Sequence, residues 1–305
     1  MAGKRVTMKD IARETGVSTA TVSYVLNYSE KEKISHDTRI RVFEAARKLN
    51  YVPNMAARTL AGNKSFLVGI IINMAGKNKK SKVYQYYDLA QEIQKLLYPK
   101  RYDVVLIPSK EVENDILIGE KRLLDTVFLM DMEETVFRDV ASYFFVPAIF
   151  IDGYVEDSLF FKVLTDYEKI MEQACEQLGK EFYVVMEEYS NQYALEIIKK
   201  YVPEKDIFIN NFESSMKEFL DDHQMQKGLV IGEILGMQAE HYVDNHNLLV
   251  VVQGEEESML LPDTKKIIVS NRKKAEKAVE VMERLLNLSD EEETGHVSYI
   301  TPVVQ

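Results

Sequence analysis

Apolar residues follow two regimes along this chain. Over the first fifty positions they recur in short bursts, three or four residues apart: Ile11 and Ala12, then Val22, Val25 and Leu26, then Ile40, Phe43, Ala46 and Leu49. That period predicts three short amphipathic helices. Thr7, with Asp10 three residues on, reads as the cap and acidic third position of the first. Gly16 stops it, where the backbone needs a positive φ to turn sharply. Ser18 caps the second helix, and Ser35 and Asp37 start the third. Two short helices joined by a tight glycine turn make a helix-turn-helix, with Ala12 small at the crossing and Val22 filling the gap. The other face of the second helix carries Thr19, Ala20, Thr21, Ser23, Tyr24 and Asn27. Such small or hydrogen-bonding side chains suit a helix that enters the major groove and offers donors and acceptors to base edges. Outside the third helix, Arg39, Arg41, Arg47 and Lys48 read either as phosphate contacts or as a solvated surface.

The second regime begins near Ser65. FLVGIIIN (66–73) is an unbroken apolar run, the signature of a strand buried on both faces. A helix is expected over 84–100, with Leu89, Ile93, Leu96 and Leu97 on one side, then a strand over 102–109. A short helix over 113–121, a strand over 126–130, a helix over 133–143 and a strand over 148–152 continue the series. The pattern then repeats, with strands over 160–165, 181–187, 206–210, 228–231, 248–254 and 265–271 separated by helical stretches. A helix over 273–287 and a strand over 296–304 close the chain. Such βα alternation predicts parallel sheets flanked by helices.

Between the regimes lies NYVPNMAARTLAGNKS. Pro53 suits a first helical turn and Gly62 ends the run. A helix of about ten residues is too short to be stable alone in water. Its apolar side is thin (Ala56, Ala57, Leu60, Ala61), so it needs a partner. The expected domains are a helix-turn-helix head over 1–52, a hinge helix and linker over 53–64, and an α/β body over 65–305.

Charge sharpens this division. The net charge is −11, yet residues 1–62 hold eleven Lys and Arg against six Asp and Glu. A basic head on an acidic body is the footprint of a nucleic-acid-binding module joined to something else. The single cysteine, Cys175, excludes an intramolecular disulfide framework and fits a reducing cytoplasm. No secretion signal or membrane span is legible. The chain carries no glycine-rich phosphate loop, HExxH or G-x-S-x-G, so neither an enzyme nor a cofactor is expected. His241 and His246 stand five apart, a poor fit to one helical face, and no metal site is expected.

V-T-x-x-D-I-A (6–12), G-V-S-x-A-T-V-S (16–23), V-L-N (25–27) and Y-x-P-N-x-x-A-x-x-L (51–60) together resemble the LacI/GalR family of bacterial transcription repressors. The resemblance is dense over residues 6–62. It implies operator contacts from Thr7, Ser18, Thr19, Ala20, Thr21, Ser23, Tyr24, Asn27, Thr38, Asn54, Ala57 and Leu60. It also implies a hinge helix paired across a dimer dyad in the minor groove. There Leu60 matches the leucine wedged between base pairs and Ala57 a residue along the groove; a wedge unstacks one step and bends the duplex. Tyr24 departs from the arginine most members carry, which alters the half-site, since Tyr cannot make a bidentate guanine contact. The charged loop 28–33 is a second departure.

The two α/β lobes resemble the family's periplasmic-binding-protein-like effector domain, which binds ligand between lobes at strand C-terminal ends. The resemblance places Asp152 and Glu255 at effector-contacting positions. Of four such marks three are altered: Glu255 and Glu256 replace an Asp pair, EEYSNQYALE lacks the expected Arg, and Gly232-Glu233 replaces Asn-Asp. GKNKKSK (76–82) reads as a solvated basic loop, with attraction of a phosphorylated ligand or acidic partner as the alternative. The implied whole is a dimeric repressor on a pseudo-palindromic DNA operator with a central CG step, modulated by a carbohydrate-like small molecule. Two alternatives stand beside it: a degenerate body answering to a protein corepressor or to no ligand, and an α/β enzyme with an incidental head.

Overall fold

The computed structural model describes residues 6–26, 34–49, 51, 65–74, 80–109, 124–134, 146–157, 160–211, 213–254, 258–287 and 296–304. The head consists of α1 (Met8–Thr15), α2 (Thr19–Leu26) and α3 (His36–Lys48). At the start of α1 the Thr7 N–H and hydroxyl both donate to the Asp10 carboxylate, at 2.9 and 2.7 Å. Gly16 ends α1 with φ 70°, a conformation that costs glycine nothing. Ser18 Oγ caps α2 by accepting from the Thr21 N–H at 2.9 Å, and Ser35 Oγ accepts from Thr38 N–H at 3.3 Å.

Ile11, Val22, Val25 and Leu26 are buried together, as the pattern predicts. The α3 stripe differs from expectation. Val42, Ala45 and Ala46 are buried, Phe43 and Leu49 lie partly buried against them, and Ile40 is outside the cluster. Positions 42, 45, 46 and 49 form the full i, i+3, i+4, i+7 series, and its two alanines let α3 approach both other helices closely.

The body starts where Ser65 N–H and Oγ and Phe66 N–H all donate to the Asp125 carboxylate, at 2.8–3.0 Å. Twelve strands are described. β1 (Leu67–Asn73), β2 (Asp103–Ser109), β3 (Thr126–Met130), β4 (Ala148–Ile151), β5 (Phe161–Thr165) and β11 (Val297–Ile300) form one parallel sheet, ordered β11-β5-β4-β3-β1-β2. β6 (Phe182–Glu187), β7 (Ile207–Asn210), β8 (Lys227–Ile231), β9 (Leu248–Val252), β10 (Lys265–Ile268) and β12 (Val303–Val304) form the other, ordered β12-β10-β9-β8-β6-β7. The order repeats from lobe to lobe, and only β12 runs antiparallel. Continuous burial of β1, β3, β6 and β9 explains their unbroken apolar runs.

The first lobe also holds α4 (Lys80–Leu97) and α9 (Asn271–Asn287), which lie against each other. The second holds α5 (Tyr167–Leu178), α6 (Tyr193–Ile198), α7 (Met216–Asp222) and α8 (Glu233–Ala239). The chain crosses between lobes after β5, after β10 and after β11. The stretch 296–304 is therefore not one strand: β11 pairs with β5 and β12 with β10, in different sheets. Nothing in its alternation marks the break beyond Pro302, which has no N–H for a ladder.

His296 packs on the Phe161 ring beside β11, and its carbonyl accepts from Lys162 N–H at 2.8 Å. Burial, together with the charges of Lys162 and Arg284, holds its imidazole below the ordinary value of 6.5. The unfolded chain therefore takes up this proton at a higher pH than the folded one. Stability is expected to fall as pH drops through about 6.5 toward the folded value, and His296→Gln should flatten that slope. Urea midpoints between pH 7.5 and 5 for the two proteins check it.

Candidate nucleic-acid interface and inter-lobe cleft

In the head, Thr7, Ser18, Thr19 and Ala20 are exposed, and Thr21, Ser23, Tyr24 and Thr38 are half-buried. Ser18 Oγ lies 2.8 Å from Thr21 Oγ1, and Thr38 Oγ1 accepts from Arg41 at 3.3 Å. The exposed N-terminal end of α2 thus presents small polar side chains on a helix whose opposite face is anchored by Val22, Val25 and Leu26. That rigid, unobstructed end is what major-groove entry requires. Asn27, Asn54, Ala57, Leu60 and Glu255 lie outside the described residues.

The body's cleft lies at strand C-terminal ends. Asp131, just after β3, has φ 55°, and Asp152, just after β4, has φ 52°. Left-handed backbone at two non-glycine residues on neighbouring strands is strained, and it turns both carboxylates inward. Asp131 is fully buried against Lys82 Nζ at 2.5 Å. The Lys82 ammonium also donates to the Glu188 carbonyl of the second lobe at 2.6 Å. Asp131 Oδ1 accepts from the backbone N–H groups of Ser190 and Asn191, at 2.8 and 3.1 Å. Burial pushes the Asp131 carboxyl up; the Lys82 ammonium and these two N–H groups pull it back only in part.

Lys82 departs from the reading of GKNKKSK as a solvated loop, of which residues 76–79 lie outside the described residues. Its last residues form the first turn of α4, and Lys82 is 2% exposed. A basic run reads as surface because an isolated charge is costly to bury; here a carboxylate remote in sequence compensates.

Asp152, expected at an effector position, is bonded within the protein. Its carboxylate pairs with Lys274 of α9 and accepts from Thr165 N–H and Oγ1, at 2.9 and 2.8 Å. Lys274 Nζ donates to Thr165 Oγ1 at 2.9 Å as well. Glu233 is similarly engaged: its carboxylate accepts from Ser258 Oγ and Met259 N–H, at 2.6 and 2.9 Å.

Aromatic side chains line the described part of the cleft. Tyr154 of the first lobe stacks on Tyr193 of the second, with centroids 5.8 Å apart, and Tyr189 donates to Gln85 at 3.1 Å. Burial raises the phenol pKa of Tyr86, Tyr167 and Tyr189, so all three stay neutral. The space left between Tyr86, Tyr167, Tyr189, Asp152, Asn191 and Lys274 is about 20 Å³. That holds one water. Asn191 and Lys274 give no sequence signal for this role, because their partners come from other elements. No cluster of three or more metal-ligating side chains occurs among the described residues. Nor is any described helix long and apolar enough to cross a membrane.

Comparison with known proteins accords with both halves. Residues 7–54 match the bacterial regulatory proteins of the lacI family. A catabolite control protein A of Staphylococcus xylosus is 31% identical over 217 residues, covering 68% of this chain and 62% of that relative. This chain thus spans less than two thirds of that relative's length. A sucrose operon repressor of Klebsiella pneumoniae is 47% identical over 73 residues, 24% of this chain and 22% of its own. In fold, the Lac repressor bound to ONPG in its repressed state superposes with a TM-score of 0.62 at 17% identity, covering 99% of this chain and 98% of that one. Helix-turn-helix head and sequence likeness together place residues 7–54 in the lacI family of bacterial regulatory proteins, and the repeated parallel lobes share the fold of the Lac repressor.

Proposed function

We propose that this chain is a sequence-specific DNA-binding transcription regulator, a repressor that binds a pseudo-palindromic operator as a homodimer. The observation that carries the reading is the head: a capped, glycine-turned helix pair with a small, polar, exposed α2 end inside the region that matches the family. Ser18, Thr19, Ala20, Thr21, Ser23, Tyr24 and Asn27 meet base edges, Thr7, Thr38 and Asn54 position the head, and Ala57 and Leu60 lie in the minor groove. Val83, Tyr84 and Tyr87 on the outer side of α4 are exposed, an apolar face that suits a second copy of the chain.

The pairing of Asp152 with Lys274 favours the second reading of the body. A carbohydrate-like effector bound through Asp152 and Glu255 would meet a carboxylate already bonded to Lys274 and Thr165. A body that answers to a protein corepressor, or to no ligand, needs no such contact.

The test is selection of duplexes from a random library by the full chain. A two-fold-related consensus is expected, and Leu60→Ala should weaken binding to it by at least about tenfold, because the kinked step loses its wedge. Recovery of no symmetric sequence would overturn the reading; unchanged affinity in the variant would remove the hinge role of Leu60.

A further inference from the structure

The bonds around Asp131 and Asn191 join opposite sides of the cleft. Asp131, Met132 and Tyr154 belong to the first lobe, and Glu188, Ser190 and Asn191 to the second. Asn191 Nδ2 donates to the carbonyls of Met132 and Tyr154, at 2.8 and 3.0 Å, while its Oδ1 accepts from Tyr154 N–H at 3.1 Å. Asp131 receives Ser190 and Asn191, and Lys82 bridges Asp131 to the Glu188 carbonyl. Lys82, Asp131 and Asn191 are all buried, so water does not compete for these bonds.

We infer that these three residues form an intramolecular clasp that closes the two lobes without a ligand. The closed body is the resting state, and a regulatory signal acts by breaking the clasp. This inference rests on the proposed regulator only for its meaning; the closure itself is a property of the body alone. Lobe closure in a two-lobed binding fold needs interactions that exist only in the closed form. A bound ligand is one source of them. Here a lysine, an aspartate and an asparagine occupy the cleft and supply bonds to both walls. The space left between Tyr86, Tyr167, Asp152 and the clasp residue Asn191 holds one water.

The experiment is hydrogen–deuterium exchange on the full chain, read in peptides spanning 187–193, whose Ser190 and Asn191 amides donate to Asp131. In the wild type these amides should be protected, and sugars, sugar phosphates and nucleosides should leave them unchanged. Lys82→Met and Asn191→Ala should each raise their exchange by at least about tenfold, with β6 and β8 still protected. Asn191→Ala removes no charge and keeps the test readable if Lys82→Met fails to fold. Unchanged exchange in a folded Asn191→Ala protein would overturn the clasp. So would a panel compound that slows exchange further in the wild type. Failure of the wild type to select a symmetric operator would sink the regulator and leave the clasp standing.

Discussion

Lys274→Ala is expected to destabilise the protein by about 3–5 kcal/mol, the usual cost of leaving one member of a buried ion pair uncompensated. Lys274 is 3% exposed, and its ammonium lies between the Asp152 carboxylate and the Thr165 hydroxyl. Two of the three residues stand where the chain passes between lobes: Thr165 ends β5 and Lys274 sits in the first turn of α9. Without the lysine, Asp152 keeps its strained φ of 52° and its charge but loses its counter-ion. For a body of this size the melting temperature should fall by roughly 10 °C. Combining Lys274→Met with Asp152→Asn removes both charges together and should recover most of the loss. Thermal melts of the wild type, the single variant and the double variant check this. A single variant as stable as the wild type would show that the pair does not hold the crossovers.

Ile11→Ala should abolish operator binding while the body stays folded. Ile11 is fully buried at the centre of the head's own cluster, where Ile→Ala costs about 2–5 kcal/mol. A module of this size has little stability to lose. The head cluster shares no residue with the clusters of the lobes, so the body's unfolding transition should not move. The expected result is a loss of operator affinity of about a hundredfold or more, matching the unfolded fraction of the head. Binding isotherms on the selected operator, beside a thermal melt followed by circular dichroism, separate the two effects. Wild-type affinity from a chain with a melted head would mean that the head is not the reader.

The chain's local code fixes the head and the succession of elements in the body. Thr7, Ser18 and Ser35 cap because a short side-chain oxygen before a helix has orphan N–H groups within reach. Gly16 turns because nothing else adopts its φ so cheaply. The runs of β1, β3, β6 and β9 announce strands buried on both faces. These are properties of neighbours in sequence, and a single sequence carries them. Burial of polar groups is not such a property. Lys82 sits in a basic run and reads as solvated, Asp131 and Asn191 carry no pattern, and Asp152 resembles a ligand contact. The Val42–Ala45–Ala46 stripe and the division of 296–304 between two sheets likewise depend on what lies opposite. Whether a charge can be buried is decided by a partner from another element, since desolvation must be offset by a bond only the folded chain can bring near. The sequence by itself determined a helix-turn-helix head on a body of alternating strands and helices; only the tertiary structure decided that Lys82, Asp131, Asp152 and Lys274 are bonded to partners from other elements.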